Sequence, residues 1–81
     1  MFSPDGHHIA FTSGPYAQRI SLLLIKEQAP QLLYEDIGNK SHLAFLPDGH
    51  DLVFMNMTGK HADIQVLNID TRECRLIVRM F

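Results

Sequence analysis

The apolar residues of this chain come in short clusters separated by polar, Gly- and Pro-containing breaks, and the clusters repeat. Phe2-Ser3-Pro4-Asp5-Gly6-His7 recurs as Phe45-Leu46-Pro47-Asp48-Gly49-His50, an offset of 43. At the same offset Ile9-Ala10-Phe11 meets Leu52-Val53-Phe54. Ile20-Ser21-Leu22-Leu23-Leu24-Ile25 meets Ile64-Gln65-Val66-Leu67-Asn68-Ile69 at 44, and Leu32-Leu33 meets Leu76-Ile77 at 44. One residue is therefore inserted between Phe54 and Ile64, which predicts a loop over residues 57–62. Residues 64–69 alternate apolar and polar, the period of a strand. Residues 20–35 are rich in Leu, Glu and Gln and taken alone favour a helix. Their alternating repeat partner and the helix-breaking Pro30 turn that reading towards strands. The predicted strands are 8–13, 19–25 and 31–35 in the first copy, and 42–46, 50–56, 63–68 and 75–79 in the second.

Each copy thus reads as a four-stranded antiparallel sheet, the first lacking most of its first strand, with the chain divided into 1–41 and 42–81. A period of about 40–45 residues with four short strands is that of one propeller blade. The Pro-Asp-Gly turns have a physical reading. Proline presets φ for the second turn position, and Asp accepts nearby backbone N–H groups. Glycine takes the left-handed conformation that closes a three-residue hairpin with a bulge. Pro4, Asp5, Gly6, Pro47, Asp48 and Gly49 are assigned this structural turn role. The geometry sets Leu46 opposite His50, Ala44 opposite Leu52 and Leu43 opposite Val53. Leu52 and Phe54 then share one face of their strand, and Val53 and Met55 the other. A sheet apolar on both faces must be covered on both.

Phe-Ser-Pro-Asp-Gly-x-x-Ile-Ala-Phe-Thr-Ser at 2–13, followed by Asp-Ile-x-Val-Leu-x-Ile-Asp-Thr at 63–71, resembles the Pro-Asp repeat of TolB-like and WD40-like β-propellers. The resemblance spans nearly the whole chain as just under two blades. It implies an all-β partial propeller serving as a protein–protein interaction scaffold, a piece or an assembling part of a TolB-like propeller. The alternative it implies is part of the propeller domain of a prolyl oligopeptidase-type or tricorn-like peptidase. The sequence departs from the pattern in places. Arg19 stands where the second copy has Asp63, Leu46 replaces the serine before the second Pro-Asp-Gly, and Thr71-Arg72-Glu73 lacks the usual central glycine.

Composition narrows the function classes. The chain has 81 residues, with 7 Lys+Arg against 9 Asp+Glu and a net charge of −2, which gives no basic stripe for nucleic acid. Its longest apolar runs, such as Leu22–Ile25, are far short of the roughly 20 residues of a membrane helix. Met1–Gly6 shows no basic, then apolar, leader. The expected compartment is cytoplasmic by default, or periplasmic for a piece of a TolB-type protein. One cysteine, Cys74, excludes an intrachain disulfide and reads as an inert thiol.

No cofactor, metal or catalytic residue is predicted. Ser3, Ser13, Ser21 and Ser41 lack a Gly-x-Ser-x-Gly elbow, and no phosphate-cradling glycine loop is present. The adjacent His7 and His8 point to opposite faces. His42 and His50 lie roughly 13 Å apart along their hairpin, too far to share a metal. Asn39-Lys40-Ser41 and Asn56-Met57-Thr58 match the glycosylation sequon by coincidence. Tyr16, Lys60 and His61 are the candidate partner-contact residues, because they fall on predicted loops. The expected partners are a protein or further copies of this chain, for instance three chains closing a six-bladed ring.

Overall fold

The computed structural model describes residues 1–59 and 61–80. These form seven strands: β1 (His8–Ser13), β2 (Arg19–Leu24), β3 (Ala29–Glu35), β4 (Asn39–Phe45), β5 (Asp51–Thr58), β6 (His61–Asn68) and β7 (Cys74–Arg79). The strands make two antiparallel sheets, ordered β1-β2-β3 and β4-β5-β6-β7. The fold is all-β, as the alternation implied, and the helix-favouring stretch 20–35 is a strand pair. Pro30 is tolerated because β3 is an edge strand with one side free of ladder bonds. Met1–Ser3 supply the remnant of a fourth strand in the first sheet. Phe2 bridges Ile9, and the backbone N–H of Ala10 donates to Met1 O at 2.8 Å.

Both sheets bend at the same place. The β2–β3 ladder shifts register between Ile20 and Ser21, leaving Leu33 as the extra residue. The β6–β7 ladder shifts between Ile64 and Gln65, leaving Ile77 extra, 44 positions later.

The β4–β5 hairpin corrects the expected register. Phe45 faces Leu52 and Ala44 faces Val53, whereas Ala44–Leu52 and Leu43–Val53 were predicted. The cause lies in the turn. Asp48 Oδ1 accepts from the backbone N–H of both His50 (2.9 Å) and Asp51 (3.2 Å), which draws His50 into the loop. Leu46 N–H then donates to Asp51 O at 2.9 Å, so the loop has four residues rather than three. The offset is absorbed at a bulge between Ser41 and Ala44, where His42 adopts φ 54°. Beyond it Ser41 faces Met55 and Lys40 faces Asn56, the parity the sequence implied.

The loop expected at 57–62 is also narrower than predicted. Met57 pairs with Ala62 and Thr58 with His61, so the strands run on almost to the tip.

The core lies between the sheets. Ala10, Ile20, Leu22 and Leu33 come from the first, and Phe45, Leu52, Phe54 and Leu67 from the second. Ala10, Ile20, Leu52, Phe54 and Leu67 are wholly removed from solvent. β1 and β4 are the strands at which the two sheets approach most closely. The opposite faces are also apolar; Val66 there is buried, while Ile9, Leu23, Val53, Met55 and Ile64 are half-buried. On the first sheet Ile9 faces Leu23 across the ladder, and on the second Val53 faces Val66 and Met55 faces Ile64.

Candidate functional site

The strand order gives the pair of sheets two distinct ends. The Pro-Asp-Gly turns and the β2–β3 and β6–β7 turns lie at one, called here the turn end. The β1–β2 loop, the β3–β4 connection and the β5–β6 hairpin lie at the other, the loop end.

At the turn end Pro4, Asp5 and Gly6 occupy one Pro-Asp-Gly turn and Pro47, Asp48 and Gly49 the other, each within a loop one residue longer than predicted. Gly6 and Gly49 have φ 75° and 74°, and each donates its N–H to the residue three before it, Ser3 O at 3.0 Å and Leu46 O at 2.9 Å. Asp5 Oδ1 accepts from His7 N–H, matching the Asp48–His50 bond. The Ser3 hydroxyl and the His7 N–H hold the Asp5 carboxyl below its usual range; the His50 N–H does the same for Asp48. His50 Nδ1 lies 2.8 Å from Asp70 Oδ2, and His7 Nδ1 3.7 Å from Asp5 Oδ2. Among the described residues no group of three His, Cys, Asp or Glu side chains converges on a point that could hold a metal.

The loop end holds what the sequence reading missed. Lys40 is 1% exposed, yet it carries an ammonium. Its Nζ donates to Asp36 O (3.0 Å), Ile37 O (3.1 Å), Gly38 O (3.2 Å) and Asn56 Oδ1 (3.0 Å), so the charge sits in a cradle of oxygens. The Tyr34 ring lies 5.9 Å from Nζ. Burial pushes the Lys40 ammonium down from the usual lysine range, and the Asp36 carboxylate opposes this. Burial likewise raises the Tyr34 phenol, reinforced by the bond its hydroxyl donates to Asp36 Oδ2 at 3.0 Å. Burial also pushes the Cys74 thiol up, which disfavours the thiolate a nucleophile needs. Gly38, at φ 111°, lets the connection pass close to β5; a Cβ there would collide with Asn56 Oδ1. The Lys40 N–H donates to Ala17 O at 2.8 Å, tying the cradle to the β1–β2 loop.

Beside the cradle is an open cavity of 610 Å³, lined by Tyr16, Gln18, residues 35–39 and residues 57–59. Three polar side chains on its wall are held by local bonds. Arg19 Nε donates to Glu35 Oε2 at 3.0 Å, Ile37 N–H to Asp36 Oδ1 at 2.7 Å, and Tyr16 N–H to Gln18 Oε1 at 3.1 Å. Tyr16, Ile37 and Met57 stand out into solvent, 76%, 80% and 49% exposed. Two apolar side chains from connections, Tyr16 and Ile37, and one from the end of β5, Met57, therefore ring a shallow hollow. Of the predicted contact residues, Tyr16 lines this cavity and His61 opens β6 at the same end, while Lys60 lies outside the described residues.

The two sheets, their shared bulges and their face-to-face core decide the fold, and a solved structure matches it over nearly the whole chain. TolB from Acinetobacter baumannii superposes with a TM-score of 0.82 at 22% identity, covering 95% of this chain. The chain folds as TolB-like propeller blades. It spans 20% of the TolB chain. No protein-family model and no curated protein matches the sequence. The first sheet is henceforth blade one and the second blade two. No helix among the described residues is long and apolar enough to cross a membrane.

Proposed function

We infer that the chain is a non-catalytic propeller module that works through protein contacts. The observation that carries this reading is the pair of apolar outer blade faces. Phe2 (61%), Ile77 (54%) and Val78 (47%) are largely exposed. Around them Ile9, Phe11 and Leu23 on blade one, and Val53, Met55 and Ile64 on blade two, are only partly covered. Contiguous apolar surface of this kind marks a contact site on a soluble domain, and stacked repeat units bury such faces against neighbours. The net charge of −2 gives no electrostatic footing for nucleic acid.

The test combines light scattering after size exclusion across a dilution series with binding of a hydrophobic dye. The expected result is either association above 9.2 kDa or a dye-binding monomer. A cooperatively melting monomer that leaves the dye dark would overturn the reading.

A further inference from the structure

The two surfaces that meet inside the chain are not copies of each other, and the repeat relates each to a surface facing outward, on which Phe2 and Ile77 are exposed, Val66 is buried and the rest are half-buried. Blade one brings Ala10, Ile20, Leu22 and Leu33 to the shared core. Carried forward by the 43- and 44-residue offsets, these become Val53, Ile64, Val66 and Ile77, which form the outer face of blade two. Blade two brings Phe45, Leu52, Phe54 and Leu67 to the core. Carried backward, these become Phe2, Ile9, Phe11 and Leu23, which share the outer face of blade one.

The chain therefore carries, on its two outsides, the same pair of surfaces that it joins within. Blade one's outside reproduces its counterpart in residue type: Phe for Phe, Ile for Leu, Phe for Phe, Leu for Leu. Blade two's outside is altered in a compensating way. The Ala10–Leu22 cross-strand pair becomes Val53–Val66, one side chain larger and its partner smaller, so the summed volume is nearly kept. The bulge that seats Leu33 in the core recurs at Ile77.

The geometry points to a second copy of this chain as the occupant of these faces, seated head to tail. The outer face of blade one of one copy packs on the outer face of blade two of the next, repeating the contact between the sheets. This rests on the contact-module reading and names its partner. The interface is heterologous, so every copy in an open assembly offers one face of each kind until the set closes into a ring. With about 4–8 blades in a closed propeller, a ring takes about two to four copies.

Two variants of the full chain test the head-to-tail polarity. Phe11→Asp spoils the outer face of blade one, and Ile64→Asp that of blade two. By light scattering, wild type is expected above 9.2 kDa. Each variant alone is expected to be a monomer, and an equimolar mixture a 1:1 dimer, because each supplies the face the other lacks. Recovery in the mixture also shows that both variants fold. If circular dichroism shows an Asp variant unfolded, Phe11→Gln and Ile64→Gln take its place under the same criteria. Either folded variant dimerising by itself would overturn the proposal, since its remaining face would then be self-complementary. A folded pair that stays monomeric when mixed, or a monomeric wild type, overturns it too. A dye-binding chain with that outcome loses only the second copy as partner; a dye-dark cooperative monomer loses the contact reading as well.

Discussion

The turn end and the loop end are made by the same seven strands, yet one repeats itself and the other does not. At the turn end the two blades share several main-chain bonds. Ile25 N–H donates to His7 O and Ile69 N–H to His50 O; Gln28 N–H donates to Leu24 O and Arg72 N–H to Asn68 O. At the loop end blade one spends residues 14–18 on its first connection, whereas blade two turns between Thr58 and His61. The β3–β4 connection occurs once and holds the Lys40 cradle. Local turn chemistry sets the repeated end, since each turn satisfies its own backbone. Contacts between blades set the other, where the Lys40 ammonium links the connection to β5 and the Lys40 backbone N–H links it to blade one.

Substitutions at the loop end should therefore cost more than those at the turn end. Gly38→Ala is expected to be the most damaging, at about 3 kcal/mol in urea melts, because it adds left-handed strain and drives Asn56 off Lys40. Lys40→Met keeps the length but strands three carbonyls without their donor, for a loss of about 2 kcal/mol. Gly49→Ala is expected to cost about 1 kcal/mol, from backbone strain alone, since a Cβ there meets only Pro4 at 3.9 Å. A Gly49→Ala loss equal to that of Gly38→Ala would erase the contrast between the ends.

The turn end also offers gains. Gln28 and Arg72 occupy equivalent positions at φ 53° and 66°, where a glycine would sit without strain. Gln28→Gly and Arg72→Gly should each raise stability by about 0.5–1 kcal/mol, read as a rise in melting temperature. Two destabilised glycine variants would show that these side chains hold their turns by contacts rather than merely tolerating them.

The smallest effect concerns acid. Asp5 and Asp48 bind protons less readily folded than unfolded, so their contribution is present above the ordinary carboxylate value of 3.8 and fades as pH falls through the lower folded values. Asp48→Asn should be mild at neutral pH, because the amide oxygen still accepts the turn N–H groups. It should also flatten the stability loss below pH 3.8, measured as urea midpoints against pH.

The repeat made most of the fold legible, because Phe-x-Pro-Asp-Gly-His states a turn and the matched apolar residues state the strands. The register of the β4–β5 hairpin was not legible. It depends on Asp48 accepting a second N–H, from Asp51, and on His42 entering a left-handed bulge that no pattern marks. Lys40 was seen only as the middle of a sequon. Nothing in a single lysine reveals that a turn will aim three carbonyls at it, and position 40 has no counterpart among these 81 residues for comparison. Tyr16 was legible from its loop, and Met57 opened the loop predicted over 57–62 without being singled out; Ile37, which joins them around the cavity, was not legible, since it follows a strand.

The mismatch between Arg19 and Asp63 has a consequence for how the chain avoids tangling. Arg19 faces Glu35 across β2–β3, and Asp63 faces Arg79 across β6–β7, so equivalent sites hold the same ion pair with its polarity reversed. Chains built from similar units risk exchanging strands between them while folding. If β3 were to pair with β6, Glu35 would confront Asp63; if β7 were to pair with β2, Arg79 would confront Arg19. Like charges set directly opposite in a ladder are unfavourable. The reversed pair thus labels each outer strand with the sheet to which it belongs.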